Sequence, residues 1–383
     1  MILIVKTYLF INFINTFELK NYTLQNAHLN QREKRAVMQD PRYIWNTQKF
    51  LYYVGRRLKG YVIALAHIKI KRYTCLRFYR VLNKKKAHII YKEGPMYVTY
   101  LGKQDKGQHR IFIPSKHIHY GKVARETLRA LGFDYEHNRP DRDMFLSIVK
   151  SNIHEAYLPF FAEKSLTLVN TYGLSYDYRS IMHYGSRELC LYGTRCITSK
   201  NNDLLVDSVM GKAKDLTFND AKLVNLAYCL SLIAVRRGKC LNFGYLTGIV
   251  TTKCRCLPYF DGNRCEYFIK NFDYCTRYNV FYAKKQLLKV TLQAQKNCYY
   301  YIQVKKGKKI ILYIGFTDYV LKHPICDDSQ HIEVRYRNDF SVSGKMICPR
   351  KIFYTFKSES NVIILHTKYD IKHYNFTIFY KEL

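Results

Sequence analysis

Arg125-Glu126-Thr127-Leu128-Arg129-Ala130-Leu131-Gly132-Phe133-Asp134-Tyr135-Glu136-His137-Asn138-Arg139-Pro140-Asp141-Arg142-Asp143 and, further on, Ser180-Ile181-Met182-His183-Tyr184-Gly185 are the two most informative segments of this chain. The first predicts a short helix over Lys122 to Leu131. Gly132 closes it, because a glycine just past the last turn accepts the left-handed conformation that ends a helix. Arg125 and Arg129 stand four residues apart and so share one helix face. Two guanidiniums at that spacing repel. Glu126, three residues before Arg129, offsets part of the repulsion through a pair worth roughly 0.2–0.5 kcal/mol.

Working outward, residues 46–120 read as alternating helix and strand. Residues 48–72 carry apolar residues at mixed spacing and are expected to include a long helix. Ala87 to Tyr91 and Tyr97 to Leu101 are expected strands, rich in β-formers with apolar residues at period two. Residues 144–229 read as irregular, with helices expected over 144–150 and 217–228, the latter capped by Asp215 or Thr217. From Cys275 onward, short alternating runs such as Ile310 to Ile314 and Asn361 to His366 predict a β-sandwich.

The chain has 383 residues, 48% of them hydrophobic, which is enough for two or more domains and excludes a disordered tail. Its formal net charge of +34 suits an anionic partner. The basic residues are spread along the chain instead of gathered in one stripe, so nucleic acid is not the expected partner. The 12 cysteines are even in number, and seven crowd into Cys229 to Cys298, which points to disulfides and an oxidising compartment. Cys190 and Cys196 are close enough to close a local loop. The sequons Asn21-Tyr22-Thr23 and Asn375-Phe376-Thr377 fit a secreted chain. Residues 1–17 read as a signal peptide, apolar but too short to span a bilayer. Residues 18–35 end in Arg32-Glu33-Lys34-Arg35, a dibasic site at which a propeptide would be cut to free Ala36.

The two opening stretches resemble the astacin family of zinc metalloendopeptidases, whose pattern is H-E-x-x-H-x-x-G-F-x-H-E-x-x-R-x-D-R-D followed by S-x-M-H-Y. Asp40-Pro41-Arg42-Tyr43-Ile44-Trp45 resembles the start of the same domain, and Thr74-Cys75-Leu76-Arg77-Phe78 resembles the family's T-C-I-R-F stretch, which implies a strand there. The resemblance implies an α+β, astacin-like zincin peptidase domain over residues 36–230. Cys240, Cys254, Cys256 and Cys265 resemble a shortened EGF-like module over residues 236–268. Cys275, Cys298, Cys326 and Cys348 resemble the two-disulfide pattern of a CUB-like β-sandwich over residues 275–383. Many nematode-type relatives share this order. The family also implies a disulfide between Cys75 and Cys229, while the partners of its second peptidase disulfide are replaced near Tyr97 and His117.

In the family three histidines hold Zn²⁺, which lowers the pKa of its bound water and polarises the scissile carbonyl. Here the three positions hold Arg125, Arg129 and Tyr135. A guanidinium has no lone pair to give and stays charged. Glu126 matches the general base but is left without metal-bound water to activate, Tyr184 matches the oxyanion-stabilising tyrosine, Met182 the methionine turn beneath the metal, and Glu136 the acceptor of the new N-terminus. Arg139, Asp141, Arg142 and Asp143 are expected to form a structural network. A relocated metal centre would need three of His117, His119, His137 and His183 to converge.

The expectation is a secreted pseudoprotease that requires no cofactor and binds an extracellular protein, peptide or polyanion, with Arg125 and Arg129 offering an anion site in the old zinc pocket. The rivals are an active zinc metalloendopeptidase with displaced Zn²⁺ ligands, and an adhesion protein that uses only its C-terminal region.

Overall fold

A computed structural model describes residues 37–105, 107–229, 240–247, 253–316, 330–349, 353–369 and 374–383. The expected signal peptide, propeptide and Ala36 lie outside them.

The chain enters through β1 (Val37–Met38) and then builds a five-stranded sheet. Its strands are β2 (Lys49–Val54), β3 (Arg77–Arg80), β4 (Ile89–Glu93), β5 (Val98–Thr99) and β6 (His109–Ile113), in the order β3-β2-β4-β6-β5. All neighbours are parallel except β5, which runs antiparallel to β6 at the edge. Residues 48–72 do contain a helix, α1 (Gly60–Tyr73), but their first part is strand β2. In β2 every second residue, Phe50, Tyr52 and Val54, is buried, and that period-two pattern decides against helix. The strand expected over Thr74 to Phe78 begins only at Arg77, because Thr74 ends α1 and its hydroxyl donates to Ile70 O at 2.8 Å.

α1 buries Val62, Ile63, Ala66, His67 and Ile70 on one face. The second helix, α2 (Tyr120–Ala130), is buried along nearly its whole length, from Gly121 to Ala130. Gly132 follows it at φ +96°, a left-handed conformation that favours glycine. The helix expected over 144–150 is instead a short turn and β7 (Leu146–Ile148); the strand runs beside β9 (Ile197–Ser199), and that long-range pairing overrides local preference. β8 (Val169–Asn170) pairs with β1. A further long helix, α3 (Phe218–Tyr228), starts at a capping box between Thr217 and Asp220, so Thr217 is the cap. Asp215 pairs with Lys69 at 2.8 Å instead.

Cys75–Cys229 ties the end of α1 to the end of α3, and Cys190–Cys196 closes a local loop. The described residues of 240–268 are held by Cys240–Cys254 and Cys256–Cys265 and include a small hairpin, β10 (Phe260–Asp261) and β11 (Tyr267–Phe268).

The C-terminal residues form two packed sheets. β12 (Val280–Tyr282), β13 (Leu288–Ala294), β14 (Cys298–Gln303), β15 (Ile310–Phe316), β16 (Gln330–Arg335), β17 (Lys345–Ile347), β18 (Phe353–Lys357), β19 (Val362–Tyr369) and β20 (Tyr374–Glu382) divide into β12-β14-β19-β16-β17 and β13-β20-β15-β18. Alternate residues such as Tyr300, Leu365 and Val334 meet Leu292, Leu312 and Ile378 in the shared core. Cys275–Cys298 anchors the start of this unit. Cys348 is disulfide-bonded, and its expected partner Cys326 lies outside the described residues.

Candidate functional site

α2 carries Arg125, Glu126 and Arg129 into the interior between the sheet and the Ser180 to Gly185 turn. Arg125 is 3% exposed and Arg129 9%. All three nitrogens of the Arg125 guanidinium are engaged: Nε donates to Ile181 O, Nη2 to His183 O and Nη1 to Glu188 Oε1, each at 2.9 Å. Lys122 Nζ reaches the same Glu188 oxygen at 2.9 Å, and the second Glu188 oxygen accepts from Gly185 N at 3.1 Å. Burial alone would raise the Glu188 carboxyl, but the charges of Arg125 and Lys122 outweigh it and hold it below the usual carboxylate range.

Arg129 donates from Nη1 to Asp134 Oδ1 at 2.5 Å and from Nε to Thr99 O at 3.2 Å, and it lies over the Tyr135 ring at 4.2 Å. The pair expected between Glu126 and Arg129 is therefore replaced by Arg129 with Asp134. The loop carboxylate can approach the guanidinium head-on, whereas Glu126 points toward Tyr135. The Tyr135 hydroxyl donates to Glu126 at 3.2 Å. Burial pushes the Glu126 carboxyl up to about 7, against the pull of Arg129 and Arg125.

Tyr135, His137 and Tyr184 fill the rest of the space. Tyr135 and Tyr184 rings are 4.5 Å apart and His137 and Tyr184 4.3 Å, and all three residues are buried. Met182 is 4% exposed, and its carbonyl accepts from Glu136 N at 3.1 Å. The turn around it is held from α3. Asp220 accepts from the Ser180 hydroxyl at 2.6 Å and from Ile181 N at 2.9 Å. Glu136 Oε1 accepts from Arg139 Nη1 at 2.9 Å and from Asp177 N at 3.0 Å, and burial raises its carboxyl to about 7. Arg139 also grips both oxygens of Asp141, and Arg142 binds Asp143 and the carbonyls of His137 and Phe161.

These residues do not fit zinc. Two of the three ligand positions are permanent cations whose donors are already used on carboxylates and carbonyls, and the third is a phenol that donates to Glu126. Nor do the histidines converge on another centre. His117 is exposed, and His119 caps α2 by accepting from Lys122 N at 3.4 Å. His137 accepts from Tyr184 N at Nδ1 and donates to Phe160 O from Nε2, at 3.3 and 3.1 Å. His183 donates to Tyr184 O and accepts from the Tyr176 hydroxyl, at 2.6 and 2.7 Å, and burial holds its ring at about 4 and neutral. Among the described residues, no three His, Cys, Asp or Glu side chains gather as a metal cluster. The anion site expected at Arg125 and Arg129 is also absent: both guanidiniums are buried, and Glu188 and Asp134 occupy them from within. The segments around Tyr97 and His117, where the family's second peptidase disulfide is replaced, are joined by the Tyr97 hydroxyl, which accepts from His119 N at 2.7 Å.

Glu188, Asp134 and Asp220 were not singled out from the sequence. A signal existed for the first two, since two arginines placed in a core helix require carboxylates within reach. Asp220 could have been read from the capping box alone.

A mixed five-stranded sheet, a buried helix closed by a glycine turn and a methionine turn beneath it define a zincin-type metalloendopeptidase scaffold. The chain belongs to the astacin family of peptidases, whose model matches residues 37–229. It is 27% identical over 284 residues to the zinc metalloproteinase nas-34 of Caenorhabditis elegans, covering 73% of this chain and 46% of that protein. It is also 27% identical over 335 residues to the zinc metalloproteinase dpy-31 of Brugia malayi, covering 83% of this chain and 55% of that one. The chain thus spans about half the length of these curated relatives. Among solved structures, the high choriolytic enzyme 1 of medaka fish, a hatching-enzyme zinc-protease, aligns with 26% identity and a TM-score of 0.45, over 50% of this chain and 98% of that one. No helix among the described residues is long and apolar enough to cross a membrane.

Proposed function

We propose that this astacin-family chain is a catalytically inactive homologue of the zinc metalloendopeptidases, secreted and acting by binding an extracellular protein. One observation carries the reading. Arg125 and Arg129, which match two of the family's zinc-ligand positions, are buried and neutralised by Glu188 and Asp134. Glu126 is a vestigial base and Tyr184 a vestigial oxyanion residue; without metal-bound water, proton transfer by one carboxylate supplies only about 10²–10⁴-fold, far short of amide hydrolysis. Met182 serves the fold as a packed turn. Glu136 remains the acceptor for an N-terminus freed at Ala36, sharing its charge with Arg139.

Residues 236–268 are read as an EGF-like module and 275–383 as a CUB-like domain, a reading supported by the paired cysteines and the two packed sheets. Residues 1–17 and 18–35 are read as signal peptide and propeptide. The paired cysteines support an oxidising, extracellular setting. The test is elemental analysis of the purified mature protein together with peptide cleavage with and without chelator. Zinc below stoichiometry and no chelator-sensitive cleavage are expected. One zinc per chain with cleavage abolished by chelator overturns the reading in favour of an active metallopeptidase.

A further inference from the structure

A large cleft lies away from the residues at the family's zinc-ligand positions, where the peptidase-like domain, the disulfide-held residues 253–268 and the C-terminal sandwich meet. Its volume is about 630 Å³, within the range of sites that take small ligands or short chain segments. Its charge is one-sided. Lys214, Arg255 and Lys368 line it from three different parts of the chain, the first two exposed and the third half-buried. The carboxylates in the same walls are already spent. Asp215 pairs with Lys69 at 2.8 Å. Glu333 is gripped by Arg335 at 2.9 Å, faces Arg179 at 3.6 Å and accepts from the Tyr259 hydroxyl at 3.2 Å. Arg255 has the ring of Tyr73 at 4.6 Å as its partner and no carboxylate among the described residues. A concave wall focuses the field of such charges and concentrates anions in it.

We infer that this junction binds a sulfated glycan chain. The sandwich side of the cleft is formed by β14, β16 and β19, all interior strands of their sheet, so it offers no free strand edge to a peptide backbone. What remains is recognition by spaced side-chain cations, which suits a polymer carrying repeated sulfates. The three cations come from separate structural units, so the bound chain would cross the joints between them. The inference does not rest on the loss of catalysis, because none of these residues belongs to the old zinc pocket.

The test is direct binding of a heparin-derived hexasaccharide to the full chain by calorimetry. It compares the wild type with Lys214→Ala/Arg255→Ala/Lys368→Ala and with a charge-matched control, Lys84→Ala/Lys85→Ala/Lys86→Ala, taken from an exposed run between β3 and β4 that does not line the cleft. Thermal unfolding of each variant checks that the fold is intact. We expect the cleft variant to bind at least tenfold more weakly, with the control near wild type and the apparent affinity of the wild type falling steeply with salt. Equal losses in both variants mean a diffuse attraction of net charge and overturn the assignment, as does an unchanged cleft variant. A poly-glutamate peptide that competes for the cleft as strongly as the hexasaccharide also overturns it, in favour of an acidic protein segment.

Discussion

Arg125 Nη1 lies 2.9 Å from Glu188 Oε1, and this contact pins the central helix to the segment just after the methionine turn. The Arg125 side chain is 4% exposed and that of Glu188 19%, so the pair sits where a lone charge is costly. Glu188→Ala strands the Arg125 cation and removes an acceptor from Lys122 and Gly185 N. It should lower stability by about 3 kcal/mol, read from urea unfolding. Arg125→Ala should cost less, because Lys122 still neutralises Glu188. Equal losses in the two single variants would show that the pair does not organise this region.

Putting imidazoles back tests what the guanidiniums replaced. Arg125→His/Arg129→His/Tyr135→His leaves Glu188 and Asp134 without their buried partners, so the apo variant should melt below the wild type. Zinc should then raise its melting temperature, because a ligand that binds only the folded state stabilises it by mass action. The wild type should melt at the same temperature in zinc and in chelator. A zinc-dependent rise in the wild type would contradict the ligand-free reading of the pocket.

Glu126 predicts a specific pH dependence. Its folded pKa is raised to about 7, so the folded protein holds that proton more tightly than the unfolded chain. The stability contributed by this group is full below the unfolded carboxyl pKa and is lost as pH rises through about 7. Glu126→Gln keeps an acceptor for Tyr135 and removes the titration. The variant should gain on the wild type between pH 5 and pH 8 by roughly 1–3 kcal/mol in urea unfolding. A constant difference across that range would show that the carboxyl does not titrate as described.

Cys75–Cys229 spans 154 residues of chain. Cys75→Ala/Cys229→Ala should therefore cost about 4–5 kcal/mol by loop-closure entropy, with the midpoint of denaturant unfolding shifted down and its slope increased by a more expanded unfolded state. Cys190–Cys196 encloses only a short loop, and its removal should cost much less.

The peptidase-like scaffold was legible because its signals are local. Gly132 needs a positive φ, Thr217 needs a capped N–H, and Arg125 and Arg129 need one helix face. The errors came where tertiary contacts decide. Residues 146–148 become strand because Ile197–Ser199 lies alongside; within 48–72 the expected helix is present at Gly60–Tyr73, and the segment left unplaced is the strand at 49–54, whose alternate residues face a sheet that only distant segments complete. At the site, the substituted positions were readable but their counter-charges were not. Glu188 lies 63 residues from Arg125, and only the folded turn brings it within reach. Without that pairing the two arginines looked like an open anion site, whereas the protein has already filled it. The junction cleft was invisible for the same reason: Lys214, Arg255 and Lys368 have no relation until three units of the fold come together.

In the buried site beneath α2, the Arg125 guanidinium reaches two carbonyls of the methionine turn and a carboxylate beyond it. The strap across the domain is thus covalently attached to its own polypeptide, where no chelator can strip it and no scarcity of metal can loosen it. A body built this way would keep its shape through changes of ionic surroundings that would empty a metal-held one, and any single step back to histidine would first have to cross a less stable form.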